Sequence, residues 1–121
     1  MGFEFSIQVR DQYLHAKVSN RTTLQHYRAF YDAVIAESVA SGINLILVDS
    51  SETVPHPRLW VIDVATSFPR QPQRRIAGLY RNEAVFNANA SYVEDVTANR
   101  GILVKNFNDE ADAIEWLLAD C

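Results

Sequence analysis

Apolar and polar residues alternate from residue 3 to 10, with Phe3, Phe5, Ile7 and Val9 sharing one side, and residues 13 to 18 are rich in strand formers. Asp11 and Gln12 separate the two runs, so the chain is predicted to open with a β-hairpin. The period then changes. Asn20 to Thr23 are turn and capping residues, after which Leu24, Tyr27, Tyr31, Val34 and Ile35 recur at helical spacing until Gly42, predicting a helix over about 23–41. Ile43 to Val48 is an unbroken apolar run between Gly42 and Asp49, the pattern of a strand covered on both faces and therefore central.

Beyond Asp49 the punctuation is set by proline. Pro55 and Pro57 bound a loop, Pro57 suits the first turn of a second helix over about 57–68, and Pro69 ends it. Ile76, Ala77, Gly78, Leu79 and Tyr80 predict another short strand, followed by a helix of less regular pattern over about 83–99. Gly101 precedes a further strand, Ile102 to Lys105. Asn108 and Asp109 cap a last helix carrying Ala113, Ile114, Leu117 and Leu118, with Asp109 and Glu110 at its positive end. The order is ββαβαβαβα: an α/β fold with a mixed sheet, a hairpin followed by parallel β-α units. No repeat, low-complexity tract or linker divides residues 1–121, which read as one domain.

Composition narrows the function. Apolar residues are 48% and charged residues 21% of the 121, an ordinary globular balance. The net charge of -4 repels phosphate backbones, so nucleic acid is not an expected partner. Arg70, Arg74, Arg75 and Arg81 lie close in sequence, a local cationic cluster read as solvated loop and strand ends rather than an anion site. Cys121 is the sole cysteine, which excludes an internal disulfide and leaves pairing between subunits, as in a homodimer, as its one structural use. With no signal-like leader and no long apolar stretch, a cytoplasmic protein without a membrane span is expected. The sequons at Asn20 and Asn89 and the myristoylation-like Met1-Gly2 with Ser6 are then coincidental.

One resemblance covers nearly the whole chain. Arg100-Gly101, a short strand, and Phe107-Asn108-Asp109-Glu110-Ala111-Asp112-Ala113-Ile114-Glu115-Trp116-Leu117 resemble the closing signature of the SpoIIAA-like proteins, small bacterial relatives of the STAS domain of anti-sigma-factor antagonists. Ile46-Leu47-Val48-Asp49 and Arg75-Ile76-Ala77 resemble that family's strand end and strand start. The same apolar residues also serve plain packing of a strand and an amphipathic helix, so the signature speaks for fold. The resemblance implies a non-catalytic regulatory or protein-interaction module, and some relatives also resemble the CRAL-TRIO lipid-binding fold. In antagonist STAS domains a Ser or Thr opening the helix after the central strand is phosphorylated, where helix N–H groups favour a phosphate. This chain has His56-Pro57-Arg58-Leu59 there, with no hydroxyl; Ser50, Ser51 and Thr53 are near but closer to the strand end.

The residues themselves offer little catalytic chemistry. His15, His26 and His56 fall in a strand, a helix and a loop without metal-ligand spacing, and GxSxG, P-loop and GxGxxG patterns are absent, so no metal or cofactor is expected. Asp49, Ser50, Ser51 and His56 cluster at the carboxyl end of the central strand, where open α/β sheets bind ligands. A small hydrolase using Asp49, Ser50 and His56 is the weakest reading, because turn and capping roles account for all three. In the second helix a stripe of Val61, Val64, Ala65 and Phe68 puts Trp60 on a flank and Leu59 on the far side with Asp63 and Thr66. Arg58, Leu59 and Trp60 thus form a candidate anchor for a protein partner. Alternatively Tyr27, Phe30 and Tyr31 line a cavity for a small apolar, lipid-like ligand, although core packing is the simpler explanation, since any helix covering a sheet shows such spacing. The expectation is a binding module, not an enzyme.

Overall fold

The computed structural model describes residues 3–51, 57, 59–60, 63–64, 74–80 and 103–119. Strands β1 (Glu4–Val9) and β2 (Leu14–Ser19) form the predicted hairpin, closed by the Arg10 N–H donating to the Tyr13 carbonyl at 2.9 Å. Helix α1 (Leu24–Ser41) follows, then β3 (Leu45–Ser50), β4 (Arg75–Tyr80), β5 (Leu103–Phe107) and helix α2 (Glu110–Leu118). The strands lie side by side in chain order, β1 antiparallel to β2 and every later neighbour pair parallel. The central place belongs to β3, as its continuous apolar run predicts.

Local chemistry sets the helix ends. Thr23 caps α1 by accepting from the His26 N–H at 3.1 Å, and Gly42 stops it with φ 73°, a left-handed conformation that needs glycine, while its N–H bonds the Ser38 carbonyl. Asp109 caps α2 by accepting from the Asp112 N–H at 3.1 Å, and Glu110 and Asp112 sit at the positive end. At the other end of α2, the Arg75 guanidinium bonds the carbonyls of Trp116, Leu117 and Ala119 and lies 5.3 Å from the Trp116 ring. A cation on the C-terminal carbonyls neutralises that end of the dipole and ties helix to sheet.

Two cores follow from strand alternation. Leu14, Ala16 and Val18 of β2, Ile46 and Val48 of β3 and Ile76 of β4 pack against Phe30 and Val34 of α1. On the opposite face Leu47, Ala77 and Leu79 meet Ala113 and Leu117 of α2, with Phe107 and Trp116 at the margin. Because α2 packs against β3, β4 and β5, the β1–β2 half of that face carries polar residues: Glu4, Ser6 and Gln8 opposite Ser19, Lys17 and His15.

The cationic cluster is not a surface patch where it is described. Arg74 is buried and donates to the Ser38 hydroxyl at 3.0 Å, and Arg75 serves α2; Arg70 and Arg81 lie outside the described residues, as does the predicted helix over 83–99. The last strand runs to Phe107, two residues beyond the predicted Lys105, because Asn106 and Phe107 still pair with Gly78 and Leu79 of β4. At Gly78 a Cβ would come within 2.5 Å of Asn106 Oδ1 and 3.3 Å of the Tyr80 ring. Gly78→Ala is therefore expected to lower stability by about 2 kcal/mol through overpacking. Urea denaturation reads this as a lower midpoint at unchanged slope.

Candidate functional site

Antiparallel pairing brings the amino end of β1 to the same sheet edge as the carboxyl ends of β2 and β3. There an open groove of about 800 Å³ is lined by Phe3, Glu4, Phe5, Ser6, Lys17, Val18, Ser19, Asp49 and Ser51. Glu4, Ser6, Lys17, Ser19 and Asp49 reach it from the face opposite α1, with Lys17 between the carboxylates of Glu4 and Asp49 in the strand order, while the side chains of Phe5 and Val18 turn toward α1 at its border. Ser51 is fastened at the rim by its N–H to the Val18 carbonyl at 3.2 Å.

Asp49 is buried, and its partner is His15, Nε2 to Oδ2 at 3.2 Å. The other ring nitrogen, Nδ1, faces the Arg10 guanidinium at 3.4 Å. Arginine only donates, so Nδ1 accepts, and Nε2 carries the proton that it donates to the carboxylate. The imidazole is thus occupied on both sides, which orients Asp49 instead of leaving a free base.

Alternation along β3 separates the residues of the hydrolase reading. Asp49 lies on the α2 face with Leu47, whereas Ser50 lies on the α1 face and is 1% exposed. Two neighbours in a strand do not converge on one histidine, and the carboxylate already has His15. Ser50 is also sealed from any modifying enzyme, while Ser51 is exposed at the groove. Thr53, His56 and Arg58 lie outside the described residues, as do Val61, Ala65, Thr66 and Phe68.

Residues 59–60 and 63–64 are helical, as predicted, and Val64 is buried. Leu59 is 75% exposed, but Trp60 is not a second free anchor: half-buried, it packs 6.0 Å from the Tyr27 ring. Periodicity placed it on a flank, and α1 supplies the cover. Asp63 accepts both Nε and Nη2 of Arg28, at 2.6 and 3.1 Å, joining this stretch to α1.

Where the spacing of Tyr27, Phe30 and Tyr31 suggests a lipid-like ligand, the three rings face a side chain of the protein itself. The buried Arg21 guanidinium lies 5.0 Å from the Tyr27 ring, 5.1 Å from Phe30 and 5.9 Å from Tyr31. Burial, then the neighbouring Tyr31 and Tyr80, hold the Tyr27 hydroxyl well above its ordinary value of 10.0 despite Arg21. A raised pKa means that the folded state disfavours the phenolate. Tyr27's contribution is therefore intact below pH 10 and falls as pH rises from there toward the folded value. Stability is expected to drop above about pH 10, and less steeply in Tyr27→Phe. Melting temperatures of both proteins from pH 8 to 11 check it.

Sequence reasoning missed His15, Lys17 and the β1 side of the site. The signal was present in β2, where His15, Lys17 and Ser19 alternate with Leu14, Ala16 and Val18 and so line one face. Among the described residues no group of three or more His, Cys, Asp or Glu side chains is placed to hold a metal, and no helix is long and apolar enough to cross a membrane.

No protein-family model and no curated protein matches the sequence. Among solved structures, it is similar to an uncharacterized protein of the DUF3478 family with a SpoIIAA-like fold from Shewanella loihica PV-4. The two share 20% identity over 96% of this chain and 93% of that one, with a TM-score of 0.54. At that identity the likeness is one of fold: this chain has the SpoIIAA-like fold, as its closing signature predicted.

Proposed function

We propose that this SpoIIAA-like domain is a non-catalytic, STAS-type interaction module that receives a segment of a partner protein along the groove at the carboxyl edge of its sheet. The observation that carries this reading is the groove itself, open and about 800 Å³, with Phe3, Phe5 and Val18 beside Glu4, Lys17, Asp49 and Ser51. Mixed apolar and charged lining along an open trough suits a peptide, which brings both side chains and backbone polar groups. A small apolar ligand is better served by an enclosed, mostly apolar cavity. Leu59, which does not line the groove, is a separate exposed apolar residue that a partner can cover. Asp49 presents a carboxylate held in place by His15, so a partner finds it pre-oriented.

Lys17 and Leu59 are exposed, so replacing them tests recognition without disturbing the core. Affinity capture from a lysate of the source cells, with quantitative mass spectrometry, is expected to recover a partner with the wild type. Lys17→Glu and Leu59→Ser are each expected to lower recovery about tenfold, as loss of a charge contact or an apolar anchor does. Equal recovery by all three proteins removes the groove from recognition. A small molecule found by native mass spectrometry in freshly purified protein would favour the carrier reading instead.

A further inference from the structure

We propose that two copies of this chain join through β1, antiparallel about a two-fold axis beside Ile7, to make one continuous sheet across the pair. Among the described residues β1 is the terminal strand of the sheet, and from Glu4 to Val9 only Ile7 is even half-buried. Its register with β2 is unbroken, so no bulge turns the edge away, and it contains neither proline nor lysine. Those are the devices by which sheets protect such edges. The opposite edge, β5, carries Lys105.

The hydrogen-bond phase is fixed by the turn. Since the Arg10 N–H bonds Tyr13, alternation along the antiparallel ladder makes Gln8, Ser6 and Glu4 the residues that bond β2. Phe5, Ile7 and Val9 therefore direct their N–H and C=O groups outward. Setting Ile7 opposite Ile7 of the second copy lets all three residues of each strand bond the other. The same register puts Phe5 across from Val9, Ser6 across from Gln8 and Glu4 across from Arg10.

Side chains choose this register over its alternatives. Phe5 is 39% and Val9 56% exposed, and both lie on the α1 face, so pairing them covers apolar surface on each copy. On the other face each Glu4 carboxylate meets an Arg10 guanidinium, two opposite-charge pairs per dimer. An axis beside Phe5 sets Glu4 against Ser6 and gives it no cation. An axis beside Val9 sets Ile7 against Asp11. The occupant is a second copy because the strand complements itself, and an isologous contact of this kind closes at two. Because Glu4, Phe5 and Ser6 also border the groove, the pairing is measured on the chain alone, without a groove ligand.

Sedimentation equilibrium of the full chain over roughly 10–500 µM is expected to show a monomer–dimer equilibrium. Amide hydrogen exchange followed by NMR should show Phe5, Ile7 and Val9 protected at high concentration and released on dilution. Val9→Lys, at an exposed position, is expected to raise the dimer Kd by about tenfold or more with an unchanged circular dichroism spectrum. Glu4→Lys should weaken the dimer, and adding Arg10→Glu to it should restore affinity. A monomer at every concentration overturns the proposal. So does a dimer in which those three amides exchange at one rate throughout, or a Val9→Lys protein that dimerises like the wild type.

Discussion

Phe30→Ala is expected to remove about 3–5 kcal/mol of stability, the range for emptying a buried aromatic site. Phe30 is fully buried between α1 and the sheet, meets Phe5 edge-on at 5.6 Å and Tyr31 at 4.9 Å, and lies under the Arg21 guanidinium. Removing the ring loses its own transfer energy and opens a cavity where α1 packs on the β1–β2 half of the sheet. It also takes away one of three rings that compensate a buried cation. Domains of this size hold about 5–15 kcal/mol in all, so the variant should be marginal at room temperature. Phe30→Leu keeps most of the volume and should cost under about 1.5 kcal/mol. Urea denaturation followed by circular dichroism measures both. An alanine variant within about 1 kcal/mol of wild type would mean that α1 collapses onto the sheet and that Phe30 does not hold it.

The same contrast between local and long-range information explains what the sequence made legible. Periodicity of 2 and 3.6 located the hairpin, α1, β3, β4 and α2, because each buries a face that its own spacing declares. The central place of β3 followed from its apolar run. The end of β5 did not, since Asn106 and Phe107 join the strand through their register with Gly78 and Leu79, a contact made across the sheet. Trp60 shows the limit on a helix: spacing gives its angular position, but its cover, Tyr27 included, comes from contacts made across the fold. The candidate site was half legible. Asp49 and Ser51 do line the groove, at the edge where an α/β sheet presents ligands. Alternation in β3 alone sets Asp49 and Ser50 on opposite faces. The partner of Asp49 was not legible, because His15 lies 34 residues away and arrives through the parallel pairing of β2 with β3.

That pairing makes Asp49→Ala the second large effect, an expected loss of about 3 kcal/mol, the upper end for a hydrogen bond to a charged group. The substitution leaves the His15 Nε2–H buried beside a methyl group, and Arg10, which itself only donates, has no acceptor to offer it. Asp49→Asn retains an oxygen that accepts from Nε2 and loses only the charge, so about 1 kcal/mol is expected. His15→Ala and the double variant complete a cycle whose coupling energy is expected between about 1 and 3 kcal/mol. A coupling near zero would mean that the two side chains are neighbours without holding each other. The cycle also bears on recognition, since His15 helps to hold the Asp49 carboxylate at the groove. His15→Ala should then weaken partner binding even though its ring does not line the trough, and more than it does in a background already carrying Asp49→Asn.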